Sequence, residues 1–201
     1  MEIEETKTKL LNYVYLKDNF LPESGNKALL ELAKNFIEYE DATIVGRRTA
    51  GYVKKNIRST KIKFIKPTSE KMTEVFWYNY FKVCFARMAV VYANEVQVKK
   101  IPRPFDGQIE DLGILKYSVG DFYTVHTDHG SSTPRSVSLV YFLNDNFEGG
   151  EFVFLSPDHK QECIVYPKKN RLIMWPSNFL YPHTIKKVTK GERYTIVSWI
   201  I

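Results

Sequence analysis

The stretch Tyr117-Ser-Val-Gly-Asp-Phe-Tyr-Thr-Val-His-Thr-Asp128 decides how this chain is read. Gly120 and Asp121 supply a turn, and the run from 121 to 128 then alternates apolar and polar residues as a half-buried strand does. Residues i and i+2 of a strand point to one face, so His126 and Asp128 are expected to face a common point. Similar short runs recur near 112–118, 135–143, 150–155, 161–166, 171–175, 182–188 and 192–201, separated by Gly, Pro, Asn and Asp. Phe147-Glu148-Gly149-Gly150 and Lys190-Gly191 read as turns. About eight short strands at this spacing predict an antiparallel sandwich or barrel.

Upstream the pattern is mixed. Tyr13 to Phe20 is rich in β-formers, and Pro22-Glu23-Ser24 opens a helical stretch to about Phe36. Thr43 to Val45 suits a short strand. Pro67-Thr68-Ser69-Glu70 marks a second helix start, with Thr68 or Ser69 as cap and the helix running to about Ala93. Its apolar stripe, Met72, Phe76, Tyr80, Val83, Cys84, Met88 and Val91, is expected to face the core. A helix-rich support at 1–108 packed on a β-rich core at 109–201 reads as a single α+β domain over 1–201.

Composition agrees. A chain of 201 residues with 44% hydrophobic and 26% charged residues is neither disordered nor collagen-like. Cys84 and Cys163 are too few for a disulfide scaffold and are expected to be reduced, buried thiols. The residues from Met1 to Leu10 form no apolar signal, and no run approaches the roughly 20 apolar residues of a membrane helix. A cytoplasmic protein without a membrane role is the expectation. The net charge is +6. The window 47–71 holds nine Lys and Arg against Glu70 alone, so it carries +8 and the rest of the chain −2. The window reads as a solvated basic face or a substrate-entry loop for an acidic protein or peptide, or less readily as a nucleic-acid contact.

The histidines bear on chemistry. His126 and Asp128 with His183, which follows Trp175-Pro176, make the two-imidazole, one-carboxylate set of a non-haem Fe(II) site, with Zn(II) also open on residue types alone. His129 is expected to face away from Asp128, and His159, beside Pro157-Asp158, to lie in a loop. Around the triad the chain shows Y-x-x-G-x-x-Y-x-x-H-x-D over 117–128, Val140-Tyr141-Phe142-Leu143-Asn144 ahead of Gly149-Gly150-Glu151, Pro176-Ser177-Asn178-Phe179 before His183, and Arg193 ten residues after it. In these motifs, over about 109–201, the sequence resembles the Fe(II)- and 2-oxoglutarate-dependent dioxygenases, and within them the prolyl 4-hydroxylase-like branch.

The resemblance implies a double-stranded β-helix (jelly-roll) core with supporting N-terminal helices. It implies iron held by His126, Asp128 and His183, and 2-oxoglutarate and O2 as co-substrates, with ascorbate as a reductant. By the same resemblance Arg193 pairs with the distal carboxylate of 2-oxoglutarate and Tyr117 hydrogen-bonds it. A guanidinium fork suits a carboxylate on independent grounds. If the last strand is regular, Thr195 and Trp199 share the face of Arg193, Thr195 as a further contact to 2-oxoglutarate. Arg135, Tyr123 and Trp199 are candidates for the substrate side. Many relatives carry lysine where Arg193 stands. Trp199 replaces the second arginine of the nucleic-acid demethylase pattern R-x5-R, and Asp128 is the carboxylate that related halogenases lack. Hydroxylation of a prolyl residue in a protein or peptide, releasing succinate and CO2, is the implied activity. The alternatives are hydroxylation of another side chain, a small molecule or a nucleic acid, or a non-enzymatic cupin-like metal-binding barrel. Oligomeric state has no signature in the sequence.

Overall fold

The computed structural model describes residues 10–35, 37–46, 49–98, 108–156, 158 and 162–201. After a short 3-10 turn at Leu10–Tyr13 come β1 (Tyr15–Asp18), α1 (Glu23–Asn35), β2 (Glu40–Asp41), β3 (Ile44–Gly46), β4 (Thr49–Tyr52), β5 (Arg58–Ser59), β6 (Lys61–Ile65) and α2 (Met72–Glu95). The second half contains β7 (Leu112–Tyr117), β8 (Phe122–His126), β9 (Val137–Phe142), β10 (Glu148–Gly149), β11 (Phe152–Leu155), β12 (Glu162–Val165), β13 (Arg171–Pro176), β14 (His183–Ile185), β15 (Val188–Lys190) and β16 (Arg193–Ile200).

The strands form a seven-stranded sheet in the order β1-β13-β9-β16-β7-β6-β2 and a five-stranded sheet in the order β12-β11-β14-β8-β5. Their pairings are antiparallel. This is the jelly-roll core of an α+β fold. Strand alternation makes the large sheet apolar on both faces. Leu112, Ile114, Leu139, Tyr141, Leu172, Met174, Tyr194 and Ile196 face the helices and pack with Leu29, Leu32, Phe81, Phe85 and Tyr92. Leu115, Tyr117, Val140, Phe142, Ile173, Trp175 and Val197 face the small sheet and pack with Phe152, Phe154, Val165 and Ile185. A buried polar network pins α1 to the large sheet: the Asn26 amide donates to the Tyr141 hydroxyl at 2.8 Å, and that hydroxyl donates to Asn170 Oδ1 at 2.9 Å.

Four expectations change. The first half is less helix-rich than its pattern implied, since β1, β2 and β6 join the large sheet and β5 joins the small one. The helix α2 begins at Met72 with Lys71 as its cap residue and no side-chain cap, while the Ser69 hydroxyl bonds Glu74 at 2.7 Å instead. Its buried stripe is Trp77, Phe81, Phe85, Met88 and Tyr92, whereas Met72, Phe76, Val83 and Val91 are exposed. The helix carries apolar residues on opposite faces, so periodicity marks it as a helix without saying which face is covered. Cys84 and Cys163 are unpaired and half-buried rather than buried. His159, Arg47 and Arg48 lie outside the described residues. Among the described residues no helix is long and apolar enough to cross a membrane.

Candidate active site

The site opens between the two sheets, where β8 and β14 of the small sheet face β16 and its neighbours on the inner face of the large sheet. A cavity of about 200 Å³ is lined by all of the candidate residues, namely Tyr117, Tyr123, His126, Asp128, Arg135, His183, Arg193, Thr195 and Trp199. One ligand atom each of His126, Asp128 and His183 lies within 4.8 Å of the others, a spacing that could hold one metal ion. His126 Nε2 is 3.8 Å from Asp128 Oδ1, and His183 Nε2 is 3.6 Å from Asp128 Oδ2. Cross-strand pairing aligns the imidazoles, for His183 on β14 sits opposite His126 on β8.

Local structure builds this differently from the expected strand face. Strand β8 stops at His126, and Asp128 occupies the bend that follows. Between the pairs His183↔His126 and Ile185↔Tyr123, β14 advances two residues and β8 three, which is a β-bulge. The extra residue breaks alternation and turns Tyr123 and His126 toward each other. Their rings stack at 3.6 Å and 19°. A regular strand would have put them on opposite faces.

Both imidazoles are held from behind. His126 Nδ1 lies 2.8 Å from the Thr124 carbonyl and His183 Nδ1 lies 3.0 Å from the Tyr181 carbonyl. A carbonyl only accepts, so Nδ1 carries the proton and each Nε2 presents its lone pair to the cavity. Burial, then the neighbouring His183, lowers the His126 pKa and keeps that ring neutral. Asp128 accepts a 2.6 Å hydrogen bond from the Ser138 hydroxyl, which in turn meets Ser177 Oγ at 2.8 Å. Burial raises the pKa of this carboxyl, but His183, His126 and Ser138 together hold it below the usual carboxylate range. Neutral imidazoles and an ionised carboxylate are the forms a divalent metal binds. His183 is further enclosed by Phe152, stacked at 5.1 Å, and by the edge of Trp175 at 5.1 Å.

The opposite wall belongs to β16. Arg193, Thr195, Val197 and Trp199 all line the cavity, as alternation on a regular strand requires. Arg193 is 1% exposed, and its guanidinium lies over Tyr117 at 4.8 Å and Phe142 at 5.1 Å. It donates to Thr195 Oγ1 at 3.4 Å, while its Nε has no hydrogen-bond partner among the described residues. Burial lowers its pKa to about 10, so it stays charged at neutral pH. A buried cation with no carboxylate partner among the described residues is costly, and an anionic group in the cavity would offset that cost. Tyr117, opposite Arg193 on β7, is equally buried. At the mouth, Arg135 stacks on Trp199 at 3.4 Å and pairs with Glu110 at 2.7 Å. His129 is exposed and bonds the Arg135 carbonyl, outside the triad.

Ser138, Ser177, Trp175 and Arg58 also belong to the site and were not singled out from sequence. Ser177 sits in a quoted motif, but its role depends on a contact with Ser138, 39 residues away in the chain. Arg58 was visible only as one charge of the basic window.

Residues 112–201 match the family model described as the 2OG-Fe(II) oxygenase superfamily. A stretch of 68 residues, 33% of the chain, is 41% identical to prolyl 3-hydroxylase 2 of Homo sapiens, of which the match covers 10%. A PKHD-type hydroxylase of Idiomarina loihiensis is 27% identical over 159 residues, 77% of this chain and 64% of that one. The chain therefore spans about a tenth of the first relative and less than two thirds of the second. In fold it is similar to a prolyl hydroxylase from Trichoplax adhaerens, solved with a peptide fragment of the hypoxia inducible factor oxygen degradation domain. The TM-score is 0.74 and the identity 21%, covering 94% of this chain and 84% of that one. Over residues 112–201 the sequence is similar to the 2OG-Fe(II) oxygenase superfamily, whose members work with Fe(II), 2-oxoglutarate and O2, and the fold is similar to that of solved prolyl hydroxylases.

Proposed function

We propose that the protein hydroxylates a prolyl residue of a protein or peptide. The observation that carries this reading is the pairing, in one cavity, of the His126–Asp128–His183 cluster with a buried guanidinium that has no counter-anion among the described residues. Fe(II) would be held by His126 Nε2, His183 Nε2 and the Asp128 carboxylate. With the metal and 2-oxoglutarate bound, O2 would be the oxidant: one of its oxygen atoms would enter a substrate C–H bond and the other would enter succinate, formed from 2-oxoglutarate with loss of CO2. Arg193 would take the distal carboxylate of 2-oxoglutarate through its Nε edge, with Tyr117 and Thr195 beside it. The Thr124 and Tyr181 carbonyls keep the imidazoles in the tautomer that binds metal. Ser138 keeps the Asp128 carboxylate turned and ionised. Phe152, Phe154 and Trp175 keep water from the back of His183.

A prolyl target is supported by the names of the relatives, and a polypeptide substrate by the peptide bound to the Trichoplax structure. The sequence resembles prolyl 4-hydroxylases while the human relative is a prolyl 3-hydroxylase, so the ring position is part of the test. Proline-containing peptides are incubated with the protein, Fe(II), 2-oxoglutarate and ascorbate, and the products are fragmented in a mass spectrometer. A gain of one oxygen on proline, located to C3 or C4, is the expected result. Oxygen gained only on another residue, a free amino acid or a nucleobase would reject the prolyl reading.

A further inference from the structure

The basic window reaches the cavity through Arg58. Strand β5 pairs with β8, with Arg58 opposite Tyr123, and the guanidinium lies over the Tyr123 ring at 4.7 Å. That ring is the one stacked on His126, so Arg58 stands one aromatic layer from the metal cluster. Among the described residues three arginines line this cavity, Arg58, Arg135 and Arg193. Arg193 is committed to 2-oxoglutarate in the reading above, and Arg135 is neutralised by Glu110 at 2.7 Å. Arg58 has no carboxylate partner among the described residues. Its Nη1 donates to the Thr43 carbonyl at 3.1 Å, and its Nε is buried without an acceptor. A buried N–H left unpaired is costly, and in a native site it calls for an explanation. The planar fork of arginine, with its Nε edge unpaired and its face fixed on an aromatic ring, is built to take a carboxylate side-on. The neighbouring smaller cavity, which Arg58 also lines, has Lys55 and Lys61 in its wall, and Lys55 is held by Asp41 at 3.1 Å. Asp41 and Asp121 also line that cavity, so its wall holds three cations, Lys55, Arg58 and Lys61, against two carboxylates.

We infer that Arg58 is the anchor for a substrate carboxylate lying next to the carbon that is hydroxylated. This rests on the hydroxylase reading and deepens it. The substrate class is a peptide in which Asp or Glu neighbours the target proline, or a small acid whose own carboxylate neighbours it. In both cases the group recognised is the same.

The test is steady-state hydroxylation of proline peptides with Glu, Gln or Lys beside the proline, and of N-acetylproline against its amide. It is run with the wild-type protein, Arg58→Gln and Arg58→Glu. A charge-assisted fork predicts a KM at least about tenfold lower for the Glu peptide than for the Gln peptide, with kcat little changed. In Arg58→Gln the two peptides should become equal, and in Arg58→Glu the Lys peptide should become the better substrate. A purely structural arginine would not produce that reversal. An Arg58-dependent gain seen only for N-acetylproline supports the anchor and assigns its ligand to a small acid. Equal KM values for Glu and Gln peptides and for N-acetylproline and its amide in the wild type would overturn the inference while leaving the hydroxylase reading intact. So would an effect of Arg58→Gln confined to the KM for 2-oxoglutarate. If no compound is turned over, the hydroxylase reading fails, and fluorescence anisotropy with the labelled Glu and Gln peptides decides the anchor by itself. Arg58-dependent preference for Glu sustains it, and equal or absent binding overturns it. Displacement of the Glu peptide by an RNA oligonucleotide whose own binding needs Arg58 would overturn it in favour of phosphate.

Discussion

Ser138 shows what single residues contribute to this site. Its hydroxyl holds Asp128 at 2.6 Å and is itself steadied by Ser177. Removing such a support costs about 10–100-fold in metal affinity. Ser138→Ala should weaken Mn(II) or Fe(II) binding by that factor, measured by titration, while circular dichroism stays unchanged. The residues of the triad were legible in the sequence because H-x-D and the later histidine are spaced motifs of reactive types. Ser138 was not, because a serine in an alternating strand has the same local pattern whether it meets solvent or a carboxylate. Tyr123 was named, but its stacking on His126 was not foreseeable from alternation. A one-residue bulge reverses the face, and bulges leave no mark in hydropathy. Arg58 was seen as charge alone, since its place depends on β5 pairing with a strand some 65 residues further along the chain.

The secondary-structure elements were read more faithfully than their faces. Most strands of the second half lie where the alternating runs predicted, with 182–188 divided into β14 and β15. Where 147–150 read as a turn, Glu148 and Gly149 instead form β10, paired with β15 in an irregular register; Gly149 has a φ of +73°, and a side chain there would collide with the Lys187 carbonyl. On α2 the expected stripe was displaced, and a pair of substitutions checks the observed orientation. Phe81→Ala should cost about 3–5 kcal/mol, as for a large core aromatic. Phe76→Ala should cost no more than about 0.5 kcal/mol, as for a surface site. Denaturant unfolding gives both values, and comparable losses would contradict the orientation. The edge strand β1 adds an electrostatic case. Asp18 accepts from Arg171 Nε at 2.6 Å and from Lys168 at 2.7 Å, and these hydrogen bonds hold its carboxyl well below the usual range. A carboxyl whose folded pKa is depressed stabilises the fold above its unfolded pKa, about 3.9, and loses that contribution as the pH falls through and below it. Asp18 is partly exposed, so the contribution is about 1 kcal/mol. Asp18→Asn should lower stability by that amount at pH 7, and its deficit relative to the wild type should shrink steadily as the pH falls below about 4.

At the scale of the whole molecule, two apolar layers flank the large sheet, and the site occupies one end of the inner layer. The core does not pass through the metal cluster, so the protein should remain folded in EDTA. Metal and 2-oxoglutarate, each at about 100 times its Kd, should each add about 2.7 kcal/mol. For a chain of this size that is roughly 5–10 °C in Tm per ligand. Arg193→Gln should remove the shift caused by 2-oxoglutarate and keep that of the metal, as read by thermal melts. The charge asymmetry also belongs to this scale. Through Arg58, a window that looked separate from the oxygenase motif supplies one wall of the cavity. His126, Asp128 and His183 are proposed as the iron site of a 2-oxoglutarate oxygenase. The most direct measurement is succinate formation from 2-oxoglutarate with Fe(II) and O2, comparing the wild-type protein with Asp128→Ala and His126→Ala. Turnover by the wild type and its loss in both variants, with their folds intact, is the expected result; turnover that survives either substitution would contradict it.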